Sequence, residues 1–256
     1  MSLELRGLSV RRGARLVLAD IALSAARGQV TAIIGPNGAG KSSLLKAVLG
    51  LLPSESGGIA WEGRALPRDP QQRARLLAYV PQRSQLSAAL PVRAVVAAAR
   101  YAHHGWWGGQ GAGDAALIAE ALAAVDASEL AARPFTALSA GEQQRVLIAR
   151  ALASEAPCIL MDEPSASLDV SHALALFALI RRLAAAGRAI VIVLHHLDDA
   201  RRIADRVVVL ERGALALAGT PAEVFASPRF AEVFGVEPLP GGAWGFALRG
   251  SERCTR

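Results

Sequence analysis

Lysine is almost missing from this chain. Lys41 and Lys46 are the only two in 256 residues, so the formal charge of +6 is carried by arginine. Cysteine is as scarce, with Cys158 inside an apolar run and Cys254 in the tail. Two cysteines so placed make no disulfide framework and no metal cluster, which suits a reducing cytoplasm. Long apolar runs are absent too. The longest uninterrupted aliphatic stretch, Ala189 to Leu194, has the length of a buried strand and falls far short of a membrane span. The start, Met1-Ser2-Leu3-Glu4-Leu5-Arg6, puts an acid among its few apolar residues, and no secretory signal is expected. No internal repeat is present.

What is there reads as globular. Hydrophobic residues make up 52% and charged residues 20%, enough for one large domain or for a core with a subdomain. The arginines come in scattered pairs (Arg11-Arg12, Arg181-Arg182, Arg201-Arg202) rather than one block. That distribution favours compositional bias first, attraction to a membrane surface second and nucleic acid third.

Residues 3–10 and 15–24 alternate apolar and polar side chains, which predicts two strands with a turn at Gly13. Val30 to Ile34 predicts a buried strand. Leu44, Leu45, Val48, Leu49 and Leu52 then mark one face of a helix expected to end at Pro53. From Pro91 the texture changes: helix over 91–101, a Gly-heavy loop over 102–113, and helix again over 114–125. Two strand–helix units follow, Cys158 to Met161 with 171–186 and Ala189 to Leu194 with 197–204. A hairpin is expected around Glu211-Arg212-Gly213, and Thr220-Pro221-Ala222-Glu223 has the form of a capping box. Strands alternating with helices predict an α/β fold on a mainly parallel sheet. The helical stretch at about 91–155 is expected as an insertion, within a domain over 1–237 followed by a peripheral tail over 238–256.

Gly35-Pro36-Asn37-Gly38-Ala39-Gly40-Lys41-Ser42 fits G-x-x-x-x-G-K-[ST], between a strand and a helix as that motif requires. Its glycines let backbone N–H groups turn toward phosphate oxygens, and the helix N-terminus adds positive potential. Lys41 is expected to reach the terminal phosphates and Ser42 to offer its hydroxyl to Mg²⁺. Ser43 completes the phosphate-binding set. Downstream, Cys158 to Met161 delivers Asp162 and Glu163 at a strand's carboxyl end, where ligands collect in such sheets. Asp162 is assigned to Mg²⁺ through water, and Glu163 to the attacking water.

Leu138-Ser139-Ala140-Gly141-Glu142-Gln143-Gln144-Arg145 makes the resemblance specific, because it is similar to the LSGGQ signature of ABC ATPases. Ser139 and Glu142 also form a capping box, S-x-x-E, and the two readings are compatible. Ala140 stands where the family usually has glycine, and Glu142 where it has glutamine. The resemblance implies a P-loop, RecA-like core with an N-terminal antiparallel β subdomain and an inserted helical subdomain. It implies ATP and Mg²⁺ as cofactors, and a homodimer in which Ser139, Ala140, Gly141 and Glu142 bind the γ-phosphate held by the opposite chain. Gln82 in Tyr79-Val80-Pro81-Gln82 resembles the glutamine that touches Mg²⁺ and senses the transporter. Asp169 in Ser167-Leu168-Asp169 resembles the loop crossing the dimer interface, and His195 the histidine on the γ-phosphate. His196 carries no assigned role. Relatives place an aromatic residue on adenine just before the first turn. Arg12 stands there instead, either stacking its guanidinium on the base or lying solvated.

Within the family the chain resembles the ATPases of iron-siderophore, haem and vitamin B12 importers. Ala99-Arg100-Tyr101-Ala102-His103, the Glu-containing signature, Thr220-Pro221-Ala222-Glu223-Val224-Phe225 and the absence of a further domain carry that likeness. Haem importers are the nearest, through Arg12 and the C-terminal pattern. This implies two transmembrane permease subunits, indirectly a periplasmic or extracellular binding protein, and a place on the cytoplasmic face of the membrane. His103, His104, Trp106 and Trp107 are not taken as haem ligands, since the motor of an importer need not touch cargo. The alternative is a soluble ABC ATPase acting on nucleic acid or ribosomes. Tandem cassettes or long coiled-coil insertions typical of those proteins do not fit in 256 residues. A small-molecule P-loop kinase would have no use for Leu138–Arg145.

Overall fold

The structure is a computed structural model of the chain, describing residues 2–82, 84, 86–104, 111, 113–238 and 245–248. The alternating N-terminal residues form strands β1 (Ser2–Arg12) and β2 (Arg15–Ala26), an antiparallel pair turning at Gly13. The buried run after them is β3 (Val30–Ile34), followed by α1 (Lys41–Val48). This helix stops before Pro53, the expected end. Gly50 takes a left-handed conformation (φ 77°), and its N–H donates to the Ala47 carbonyl at 2.9 Å, so glycine ends the helix.

Strands β4 (Ser56–Trp61) and β5 (Arg64–Ala65) come next, then a short helix α2 (Pro70–Ala74) and β6 (Leu77–Val80). β4 joins the free edge of β1, giving an antiparallel sheet of order β2-β1-β4-β5. A side chain at Gly57 would collide with the Gly7 carbonyl, which is why glycine sits at this crossing.

The helical insertion contains α3 (Val92–Ala97), α4 (Tyr101–His104), α5 (Asp114–Ala123) and α6 (Ala140–Ala153). The helix expected over 91–101 thus runs through a 3₁₀ turn at Ala98–Arg100 and on to His104. Most of the expected 102–113 loop, with Trp106 and Trp107, lies outside the described residues. Arg100 fixes the insertion from inside. Its Nε meets Asp114 Oδ1 at 2.8 Å, and Nη1 reaches Glu155 Oε2 at 2.7 Å and the Ala153 carbonyl at 3.0 Å. His104 pairs with Asp114 at 2.9 Å and His103 Nε2 lies 2.9 Å from the Ser154 carbonyl, so both histidines have local partners.

The chain then returns to the main sheet through β7 (Cys158–Asp162), α7 (Val170–Ala185), β8 (Ala189–Val193), α8 (Leu197–Ile203), β9 (Arg206–Glu211) and β10 (Ala214–Gly219). The sheet order is β10-β9-β3-β8-β7-β6, parallel except for β10. Alternate residues of its buried strands feed two cores. Ala32, Ile34, Ile159 and Met161 join the cluster with α6 and α7, while Ile33, Cys158 and Leu160 join α1 and the antiparallel sheet. α9 (Pro221–Ala226) begins with the expected reciprocal box of Thr220 and Glu223, and α10 (Pro228–Phe234) ends at left-handed Gly235. β11 (Val236–Pro238) pairs with β12 (Phe246–Leu248), and Phe246 lies 5.2 Å from the buried Phe230 ring. Among the described residues no helix is long and apolar enough to cross a membrane.

Candidate functional site: a phosphate cavity and a separate signature face

The carboxyl ends of β3, β8 and β7 point the same way because the strands are parallel, and each carries polar residues just beyond its last ladder bond. At the end of β3, Gly35 (φ 150°) passes so close to the Leu210 carbonyl that any side chain there would strike it. Gly40 opens α1 without a side-chain cap, so first-turn N–H groups remain available to an anion. Lys41 is 6% exposed and its Nζ donates to the carbonyls of Gly35 (2.7 Å) and Pro36 (3.1 Å). Burial pushes its pKa down, and the charges of Glu163 and Asp162 pull it back up. The cation is thus folded over its own loop.

Asp162 ends β7 and is 5% exposed. Ser42 Oγ donates to its Oδ1 at 3.1 Å, and the Tyr79 hydroxyl lies 3.5 Å from Oδ2. Burial raises the Asp162 pKa, against the Ser42 bond and nearby Lys46, Tyr79 and Lys41. The same burial, with the Asp162 charge, takes the Tyr79 phenol up to about 12. Next along, Glu163 adopts a left-handed backbone (φ 49°), a strained conformation for a non-glycine residue, while its N–H donates to the Val193 carbonyl at 3.1 Å. Its carboxylate is held from two sides, by Gln82 Nε2 on Oε2 at 2.6 Å and by His195 Nε2 on Oε1. Three chain-distant residues expected in the site therefore meet at the acidic strand end: Gln82 and His195 through Glu163, and Ser42 through Asp162.

A cavity of about 370 Å³ runs from this cluster to the β1–β2 turn. Asn37, Gly38, Ala39, Gly40, Lys41, Ser42 and Ser43 line its floor, Glu163 and His195 one side, and Arg12 the far end. Arg15 and Arg212 line that end too, although neither stood out in the sequence. Their only local signal was the turn glycine beside each hairpin tip.

The signature lies elsewhere. Ser139 caps α6 in a reciprocal box: its N–H donates to Glu142 Oε2 at 2.8 Å and its Oγ accepts from the Glu142 N–H at 3.3 Å. That backbone bond holds the Glu142 carboxyl below its ordinary pKa, with help from Arg133, whose Nη1 is 3.2 Å away. Ala140 lines a second cavity of about 250 Å³ with Gln82, Gln143 and Ser167. Asp169 caps α7, accepting from the His172 N–H at 2.9 Å, which with its Ser171 and His172 side-chain bonds lowers its pKa to about 2. None of Ser139, Ala140, Gly141, Glu142 or Asp169 lines the phosphate cavity.

A Gly-rich loop opening a helix, beside an acidic strand end in a parallel sheet, defines a P-loop nucleotide triphosphatase. Residues 18–166 match the family described as ABC transporter, more than half of the chain. The chain belongs to that family and is an ATPase. It is similar to the hemin import ATP-binding protein HmuV of Streptomyces coelicolor, 42% identical over 230 residues, covering 89% of this chain and 81% of the relative. The protein of the same name from Pseudomonas aeruginosa is 41% identical over 243 residues, 93% and 94% of the two chains. Among solved structures, an ATP binding subunit of an ABC transporter superposes with a TM-score of 0.79 at 29% identity, over 88% of this chain and 92% of that one. A transporter described as metal-chelate type gives 0.80 at 26%, over 92% and 89%.

Proposed function

We propose that this ATPase is the motor subunit of an importer of a metal chelate, haem in the first place. Two copies would act together beneath two transmembrane permeases fed by an external binding protein. The observation that carries the two-copy reading is the separation of the phosphate cavity from the signature face. Each half binds one side of a nucleotide, and a second copy would supply the missing side. The metal-chelate reading rests on the sequence likeness around Arg100 and Thr220, and the haem reading on the two HmuV relatives, Arg12 and the C-terminal pattern.

Within the cavity, ATP phosphates would lie on the loop amides with Lys41 turning from the Gly35 and Pro36 carbonyls to meet them. Ser42 Oγ and Asp162 Oδ1 are adjacent hard oxygen donors, which fits Mg²⁺. That ion takes one or two protein oxygens and completes its shell with phosphate and water. No group of three or more His, Cys, Asp or Glu among the described residues competes for a metal. When bound, the ion would offset phosphate charge. Glu163 would orient the attacking water and accept its proton, once Gln82 and His195 turn from the carboxylate toward the nucleotide. Gln82 is also the link to the membrane. An apolar groove of about 490 Å³, with Leu51 65% and Tyr101 46% exposed at its rim, runs past Tyr79 on the strand that leads to Gln82. We assign this groove to a permease segment, which would hold the chain on the cytoplasmic face of the membrane.

The arginines give little support to a polyanion-binding role. Arg6, Arg11, Arg27, Arg100, Arg133, Arg181 and Arg229 are each ion-paired to carboxylates of this chain. Reconstitution with the permease in proteoliposomes, offering haem, a ferric siderophore and vitamin B12, tests the assignment. ATP-dependent uptake of haem above the other two is expected. Uptake of none of them would overturn the importer reading.

A further inference from the structure

The end of the phosphate cavity away from Lys41 is built from two hairpin tips. Arg12 and Arg15 face each other across the β1–β2 turn, and Arg212 occupies the β9–β10 turn with a left-handed backbone (φ 48°). The second tip is pinned against the first and against the phosphate loop. The Gly213 N–H donates to the Ala39 carbonyl at 3.0 Å, and the Gly213 carbonyl accepts from the Ala19 N–H at 2.8 Å. A side chain at Gly213 would strike the Val17 carbonyl, so this close seating needs glycine. All three arginines line the cavity, and none has a side-chain hydrogen bond or ion pair among the described residues. Their neighbour Arg11, by contrast, is tied to Glu55 and to the Ala14 carbonyl, both at 3.1 Å.

The composition of this rim has a chemical consequence. Its side chains are three all-donor guanidiniums plus Leu16 and Val17. The side-chain acceptors lining the cavity (Asn37, Ser42, Ser43, Glu163, His195) all sit in the phosphate loop or at the acidic strand end. The side chains that a purine meets at the rim are therefore hydrogen-bond donors and apolar surface. Guanine and hypoxanthine present two adjacent acceptors, O6 and N7, which suit an arginine fork. Adenine presents N7 beside an amino donor, which does not.

We infer that Arg15 and Arg212 make this ATPase a dual-purine enzyme that takes guanine nucleotides at least as readily as adenine ones. The inference rests on the nucleotide lying in this cavity with its phosphates at Lys41. Arg12 supplies a flat cation for either base, while Arg15 and Arg212 select the O6/N7 edge.

Calorimetric titration of the full chain with ADP, GDP and IDP tests it without turnover. GDP and IDP are expected to bind as tightly as ADP or tighter. In the double variant Arg15→Met, Arg212→Met, which keeps the apolar stems, GDP and IDP should weaken about fivefold to a hundredfold and ADP less than threefold. GDP or IDP binding more than threefold weaker than ADP in the unaltered chain overturns the inference. So does an equal loss for all three in the variant, which would leave the arginines as plain counter-charge. Lys41→Ala separates the two levels: it should weaken all three nucleotides together, and unchanged binding there would remove the cavity assignment itself.

Discussion

The phosphate half of the candidate site and its signature half are built in opposite ways. The phosphate half sits on fully buried parallel strands, and its polar residues are cross-linked to one another: Ser42 to Asp162, and Gln82 and His195 to Glu163. The signature half sits on the start of one helix, where Ser139 and Glu142 satisfy each other, Arg133 pairs with Glu142, and Gly141 faces the Ser167 carbonyl and the Leu168 side chain. In the proposed reading the first half supplies a charge for the phosphates, Lys41, and a base for the water, Glu163. The second supplies a helix N-terminus whose one carboxylate, Glu142, is spent on its own capping box and on Arg133. In the proposed dimer a second chain would bring its signature across to complete the site, and hydrolysis would then depend on assembly rather than on folding alone.

Lys41 offers the sharpest way to break the phosphate half. Lys41→Ala removes the loop's own counter-charge, and saturable nucleotide binding and turnover should both fall to background. Titration and phosphate release measure this, and near-normal turnover would end the phosphate-loop assignment. Glu163→Gln acts on the same half at a later step. Binding should survive while hydrolysis slows about a hundredfold or more, as when a positioned base is lost. Uncleaved ATP should then hold two chains together on a sizing column. A chain that stays monomeric at high protein and ATP concentration, with its permease supplied, would contradict the shared site.

The signature half can be broken separately and then repaired by mixing. Ser139→Ala removes the cap, worth about 1 kcal/mol to the helix start, and the hydroxyl that would face the phosphate of the opposite chain in the proposed dimer. Alone, it should be nearly inactive, as should Lys41→Ala. In an equal mixture, random pairing makes half of the dimers mixed. Each mixed dimer has one intact site of two, so activity should return to about a quarter of the unaltered level. No recovery at any ratio would place the signature's action within its own chain, or require both sites intact.

How much of this was legible in the sequence follows the same division. The phosphate loop, the acidic strand end and both capping boxes were readable because their residues are contiguous and their chemistry is local. Strands β4 and β5 were not. Gly57 and Gly58 interrupt the alternation, and the reason for Gly57 is a backbone 50 residues away in the chain, at Gly7. The Tyr79 bond to Asp162 spans 83 residues and the Arg100 bond to Glu155 spans 55, so neither leaves a periodic trace. α1 shows the limit of local reading. Proline looked like the natural stop, yet Gly50 reached the left-handed conformation three residues sooner. Arg15 and Arg212 stayed hidden for a similar reason, since only the docking of two hairpin tips makes them neighbours of one cavity.

Arg12 gives the smallest expected effect and the finest test of the phosphate half. It lines the far end of the cavity while the adjacent Arg11 is already tied to Glu55, so the two arginines of the pair have different tasks. If its guanidinium lies on the base, Arg12→Ala loses a contact made equally in the ground and transition states. Uniform binding of that kind raises KM and leaves kcat little changed. Base stacking is worth about 1–3 kcal/mol, which corresponds to a KM increase of about fivefold to a hundredfold. Arg12→Tyr supplies another flat surface and should hold KM near the original value. Arg12→Lys keeps the charge but has no plane to lay on the ring, so it should resemble alanine. Steady-state ATPase rates on the four proteins, with permease present, separate these roles. A lysine variant as good as arginine would make the residue a simple counter-charge. Equal KM for all four would make it a solvated turn residue, leaving the base to Leu16, Val17 and the two remaining arginines of the rim.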